Sequence, residues 1–228
     1  MPASRHVFWV VPAACVLIAA AVAMDLGAPI RSDIRIFDAD RVARLDTEMW
    51  RAYYDRKPLP LFLELAEVMR RQFHVPFLRS YLIAGEGARA AFVFKRGHVR
   101  ADYEQALPDL RRYFTSVRAV SVTPFDVERA ARLELEWWIA HRVGVGEDSL
   151  AHALDLAEGE LYRVPPERLE PYGHERAKAM ILRDGRGDDG RVSDQDWSAI
   201  QDHLRIAWNG LERVLTADAR AAGAGGTR

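Results

Sequence analysis

Apolar side chains recur along most of the chain at intervals of three and four residues, the spacing of one face of an α-helix. Seven or eight segments between residues 38 and 215 show this pattern, and proline or glycine separates them. No segment alternates apolar and polar residues with the period of a β-strand. The pattern therefore predicts an all-α domain, either a bundle or a stack of helical hairpins.

An uncharged apolar run precedes this domain and occupies residues 7–24. Eighteen helical residues at about 1.5 Å each just reach across a hydrocarbon core of roughly 30 Å. Residues 1–24 are thus predicted to be a signal anchor, or a signal peptide cleaved near Ala21-Val22-Ala23. We expect a single-pass membrane protein with its domain outside the cytoplasm. Arginines follow the run more often than they precede it, which favours the opposite orientation.

Composition divides the rest of the chain into three parts. Residues 25–37 contain glycine, proline and alternating charges, and they predict a linker. Residues 38–215 hold the helical pattern and form the predicted domain. Residues 216–228 are rich in alanine, glycine and threonine, and we expect a disordered tail.

The segment from Thr123 to Val143 is apolar around most of its circumference, so it predicts a central helix that several others surround. Thr123 can cap this helix, and Pro124 fits its first position. Glu134 and His141 project into the apolar arc. A buried carboxylate needs a partner or a proton, so these two residues indicate either an ion pair with an arginine of a neighbouring helix or a functional site.

Asp46 also lies on the apolar face of its predicted helix, and a buried arginine or tyrosine is its expected partner. Catalytic candidates are Glu134, His141 and Asp46. Asp46, Glu134, His141, Glu160 and His174 are weak candidates for metal ligands. The E-x-x-H spacing of di-metal bundles is missing, and a core histidine bonded to backbone is the simpler interpretation of His174. No metal is therefore expected.

Charge and motifs narrow the classes of function. The net charge of −1 argues against nucleic-acid binding. The single cysteine, Cys15, leaves the domain without a thiol nucleophile or a cysteine-based metal site. Phosphate-binding loops, the G-x-S-x-G elbow and H-E-x-x-H are absent from the sequence. We therefore expect no cofactor, and a non-enzymatic function is favoured.

The chain as a whole resembles small bacterial proteins with one N-terminal span and a tryptophan-rich helical domain. This resemblance implies the fold, and it transfers no activity and no site residue. The function predicted from the sequence is a membrane-tethered binding or scaffolding module, with the membrane contacted through residues 7–24 and a possible protein or peptide partner. The alternative is a helical-bundle enzyme that uses buried carboxylates and histidines and possibly a metal.

Overall fold

The computed structural model describes residues 7–185 and 192–225, with side chains from residue 12 to residue 221 apart from the same internal gap. Within these ranges the chain forms ten α-helices and no β-strand. The helices are α1 (Val7–Gly27), α2 (Ala39–Tyr54), α3 (Pro58–Gln72), α4 (Phe77–Arg96), α5 (Arg100–Tyr103), α6 (Leu107–Val120), α7 (Val127–Val143), α8 (Glu147–Tyr162), α9 (Glu170–Asp184) and α10 (Asp194–Gly225). The predicted all-α class is confirmed.

Eight long helices form a closed ring. Each of α2, α3, α4, α6, α7, α8 and α9 packs against the next long helix in the chain, and α10 packs against both α9 and α2. Because the connections are short, consecutive helices run in opposite directions. One continuous cluster of buried apolar side chains from these helices forms the core.

Residues 32–37 close one end of the ring. Ser32 donates its backbone N–H to Val120 at the end of α6 and accepts from Val122, at 2.8 and 2.9 Å. Ile34 is fully buried. The Phe37 ring lies 5.9 Å from Tyr162 of α8 and 5.8 Å from Trp208 of α10. This segment lacks regular structure, but its apolar side chains belong to the core.

The predicted central helix has a different place from the one expected. It begins at Val127, and Asp126 caps it by accepting a hydrogen bond from the N–H of Arg129. In the ring α7 packs most extensively against α6 and α8, and single side chains also reach Phe94 of α4 and Asp184 of α9. Its apolar arc is divided between these neighbours and the interior of the ring. The predicted central position of this helix is therefore wrong, because a closed ring gives no helix a central position.

Proline determines one helix boundary. A proline either kinks a helix or opens a new one, and at Pro108 the structure has a new helix, α6, with proline in its first turn. The short α5 and the 3₁₀ turn Glu104–Ala106 precede it. The described chain thus has nine α-helices after α1, where seven to eight were predicted.

Helix α1 is anchored to the ring through its last turns. The carboxylate of Asp25 accepts hydrogen bonds from the backbone N–H groups of Leu78 and Arg79, at 3.0 and 3.2 Å. These are orphan donors at the start of α4, and the aspartate satisfies them. Among the helices that the structure describes, none is both long and apolar enough to cross a membrane.

Helix α10 continues past the predicted end of the domain at residue 215. Asp218, which the sequence assigns to the tail, forms ion pairs with Arg35 and Arg168. The helix extends to Gly225, so this alanine-rich stretch is helical up to that residue.

Candidate functional site

Asp46 is a buried carboxylate inside the ring with a charged partner. It projects from α2 and exposes 3% of its surface. Its Oδ2 accepts hydrogen bonds from Nη1 of Arg176 at 2.5 Å and from the indole N–H of Trp208 at 3.0 Å. The arginine partner that the sequence predicts for Asp46 is therefore present, and it comes from α9.

Arg176 is held by aromatic rings as well as by this ion pair. Its guanidinium carbon lies 5.4 Å from the ring of Trp208, 5.6 Å from Trp50 and 5.9 Å from Tyr172. Burial opposes the charge, but Asp46 outweighs it, so the pKa of Arg176 is raised. Asp46 and Arg176 thus form a buried ion pair with aromatic walls, which is a structural arrangement.

Glu158 lies near this ion pair but is bonded less completely. It projects from α8, and its Oε1 accepts a hydrogen bond from the hydroxyl of Tyr172 at 2.9 Å. Its Oε2 is buried and has no hydrogen-bond partner among the described residues. Burial raises the pKa of Glu158 to about 7, against the lowering effect of Arg176 and with a further increase from Glu134.

Glu134 approaches the same region from α7. Its Oε1 accepts a hydrogen bond from the indole N–H of Trp138 at 2.9 Å. Burial raises its pKa, although the hydrogen bonds from Trp137 and Trp138 and the charge of Arg176 lower it. In the part of the chain that the structure describes, no arginine forms an ion pair with Glu134. An indole occupies the place where the sequence predicts a guanidinium.

Tyr113 of α6 completes this group. Burial raises its pKa, and the charges of Glu134 and Glu158 raise it further. Gly87 of α4 faces the tyrosine ring, where an added Cβ would lie 3.4 Å from Cδ2. We call Glu134, Glu158 and Tyr113 the interior acidic cluster. Sequence reasoning missed Glu158 and Tyr113 because only the ring brings α6, α7 and α8 together.

The interior acidic cluster combines burial with partial exposure to solvent. Burial raises the pKa of each of its three side chains, so protein atoms surround all of them. Each nevertheless retains a partly exposed surface. The indoles of Trp137 and Trp138 are also partly exposed, and we call the solvent-accessible space that these five side chains border the hollow.

His141 does not join Glu134. Its Nε2 lies 2.8 Å from Oδ2 of Asp184 at the end of α9, where the imidazole is partly exposed. Although burial raises the pKa of Asp184, the bond from His141 and the charge of Arg183 lower it overall. Within the described residues, no hydrogen bond or ion pair connects the three catalytic candidates Glu134, His141 and Asp46.

Glu160 fixes the start of α7. Its Oε1 accepts a hydrogen bond from the backbone N–H of Asp126 at 2.8 Å and another from Arg163 at 2.7 Å. Arg129 lies 3.1 Å from its second oxygen. With both oxygens bonded, Glu160 docks α7 onto α8 and has no vacancy for a metal.

His174 lies in a cleft on the outside of the ring, between α8 and α9. Its Nδ1 is 3.4 Å from Oε1 of Glu147, and it is partly exposed. The expected core histidine bonded to backbone is therefore wrong. The cleft has a volume of about 300 Å³ and its lining includes Asp148 and Asp155. The helical spacing of acids on α8 and of Glu170 and His174 on α9 is a signal that the sequence analysis passed over.

No known protein family, curated protein or solved structure matches the chain. The function must therefore be argued from the geometry of these sites.

Proposed function

We propose that the chain is a membrane-tethered binding module whose ring interior accepts a positively charged group of a small molecule or a peptide. The observation that carries this proposal is the free Oε2 of Glu158, which is buried beside a second carboxylate, Glu134. An unpaired buried carboxylate is costly, so a cation that enters the hollow gains a partner that the protein itself does not supply.

The walls of the hollow suit the same class of ligand. Trp137 and Trp138 lie edge to face, with ring centroids 6.1 Å apart. Indole faces attract ammonium and guanidinium groups, and the attraction grows when water is excluded. An amine or a cationic side chain would thus find two carboxylates and two indoles at one place.

Protonation supplies a way to recognise this binding. Without ligand, the raised pKa of Glu158, about 7, leaves part of the population protonated at neutral pH. A bound cation favours the ionised carboxylate, so binding releases a proton near this pH. Affinity should therefore increase from pH 6 to pH 8. A ligand whose own cationic group is an imidazolium would show the opposite trend, because it loses its charge over this range.

The alternative is an enzyme that uses the same carboxylates as acid and base. A carboxyl group with a pKa of about 7 can act as a general acid, which is the observation in favour of this alternative. The other candidates are already bonded, however: Asp46 to Arg176, and His141 to Asp184. The binding function requires no further group, and it is the one we propose.

The binding test uses the full chain in detergent micelles with tetramethylammonium and spermidine as cationic probes. Tryptophan fluorescence and calorimetry would report binding, because two indoles line the hollow. We expect Glu158→Gln and Glu134→Gln each to weaken the affinity for the probes by about tenfold, the scale of losing one close charge partner.

Glu136→Gln is the matched control. Glu136 lies on the same helix but pairs with Arg100, so its removal should leave binding unchanged. The proposal fails if neither probe binds, or if all three variants bind the probes as the wild type does.

The tether is proposed from the apolar run of residues 7–24, and the extracytoplasmic side from the layout of the chain. Alkaline phosphatase and green fluorescent protein fused separately to the C-terminus would report the side on which the domain lies. Phosphatase activity in the membrane fraction is the expected result. Fluorescent fusions that remain in the supernatant after ultracentrifugation would refute the tether.

A further inference from the structure

The cleft between α8 and α9 differs from the ring interior in composition. Four carboxylate residues, two histidines and one proline line it, and the lining contains no lysine or arginine. The lining residues are Asp148, His152, Asp155, Pro166, Glu167, Glu170 and His174. Such a wall attracts cations, because no arginine or lysine neutralises its charge.

Three side chains on the rim of this cleft converge. Glu147, Asp148 and His174 each offer one ligand atom, and these atoms all lie within 4.8 Å of one another. Two of the three come from the first turn of α8, and the third comes from α9. The helix dipole by itself stabilises carboxylates in the first turn of a helix. The dipole does not explain why an imidazole from another helix faces them.

Asp155 gives a second, independent observation. It lines the same cleft and exposes only 5% of its surface. Its Oδ1 accepts a hydrogen bond from the backbone N–H of Gly173 at 3.0 Å. A largely buried carboxylate that lines the same cleft as an imidazole and further carboxylates indicates a cation between them.

We propose that Glu147, Asp148 and His174 bind one divalent transition-metal ion of the Zn²⁺ class, with Asp155 on the inner side of the site. One imidazole with two carboxylates favours such an ion over Mg²⁺ and Ca²⁺, which prefer ligand sets made of oxygen alone. Three protein ligands leave coordination positions open to water. This site lies outside the ring and does not depend on the proposed ligand of the interior.

The test is a calorimetric titration of the full chain, without an affinity tag, with ZnCl₂ at neutral pH. We expect one Zn²⁺ per chain. His174→Ala and Asp148→Asn should each reduce the affinity at least about tenfold, since the loss of a residue that only supports a metal ligand already costs about this much. Asp148 is exposed, so its variant keeps the fold, which circular dichroism would verify. Titration with Co²⁺ should give visible absorption bands that both variants lose.

A second histidine and carboxylate pair provides the matched control. His203 lies 2.7 Å from Glu175, but Lys178 pairs with the same carboxylate. His203→Ala should therefore leave the Zn²⁺ affinity unchanged. The proposal is overturned if wild-type protein binds no stoichiometric Zn²⁺, if His203→Ala weakens binding as much as His174→Ala, or if Asp148→Asn and His174→Ala bind Zn²⁺ like the wild type.

Discussion

Asp46 and Glu158 are two carboxylates in the same ring interior, and both lie within the field of Arg176. Asp46 receives the guanidinium itself and an indole N–H. Glu158 receives one tyrosine hydroxyl, and its second oxygen has no partner among the described residues. The difference separates a carboxylate that holds the fold together from one that is available to a ligand.

Geometry explains why one arginine cannot serve both carboxylates. The guanidinium of Arg176 lies among the rings of Trp50, Tyr172 and Trp208, and this arrangement fixes its direction toward Asp46. Glu158 therefore feels only its longer-range attraction, which does not offset the cost of burial. Inside a protein, the direction of a hydrogen bond decides between two otherwise similar acids.

The largest effect should come from removing the shared cation. Arg176→Ala leaves Asp46 buried without its cationic partner, with only the indole N–H of Trp208 still bonded to it, and we expect it to reduce the free energy of unfolding by about 3–5 kcal/mol. Urea denaturation at pH 7 would measure this loss. Arg205→Ala is the control, because Arg205 pairs with Asp202 on the surface and should change stability by less than about 0.5 kcal/mol. If Arg176→Ala and Arg205→Ala changed the stability equally, the distinction between Asp46 and Glu158 would fail.

The second prediction concerns the dependence of stability on pH. The pKa of Glu158 is raised in the folded state from the usual 4.5 to about 7. Between these values the folded state holds more protons than the unfolded state, so its stability falls as pH rises. Glu158→Gln should match the wild type near pH 4.5 and exceed its stability by about 1–3 kcal/mol at pH 8.

Glu128 provides a control of opposite sign for that experiment. Hydrogen bonding to Arg111 lowers its pKa to about 2. Its contribution to stability is present above the unfolded pKa and is lost as pH falls toward 2. Glu128→Gln should therefore be slightly less stable than the wild type at pH 8. Urea melts at a series of pH values would show it, and parallel profiles for Glu158→Gln and the wild type would contradict the unpaired state of Glu158.

The smallest effect is expected for a buried hydrogen bond between α3 and α8. The hydroxyl of Tyr162 on α8 accepts a hydrogen bond from Nε2 of Gln72 on α3 at 2.8 Å, and both residues are buried. Tyr162→Phe leaves the amide without an acceptor and should cost about 1–2 kcal/mol in thermal or urea unfolding. A loss below the error of the measurement would show that Gln72 finds another partner.

The sequence predicted the helices well because each depends on its own neighbours. Periodic apolar positions and proline at helix starts are local signals. So is a serine followed three residues later by an acid, as in Ser193 and Asp196 before α10, where each side chain accepts a hydrogen bond from the backbone N–H of the other residue. The central position expected of α7 was wrong for a reason that no local pattern contains. Whether a helix with a broad apolar arc lies at the centre of a bundle or takes a place in a ring depends on the closure of the ring.

The site was accessible from the sequence only in part. A buried Asp46 requires a cation, so the existence of an arginine partner could be predicted, but its identity as Arg176, on α9, could not. His174 was placed in the core because its own helix gave the only available pattern. Its actual surroundings come from α8 and from the orientation of two helices, which the single-helix pattern does not specify.

The contact between α2 and α10 has a consequence for how the chain folds. It joins the first and last helices of the ring, so it has a large separation in sequence and forms slowly. During synthesis, Asp46 leaves the ribosome well before Arg176 and Trp208 are available. Until α10 docks, α2 presents an unpaired acid on an apolar face. The open ring is therefore the species in which this protein is most exposed to aggregation and to proteases.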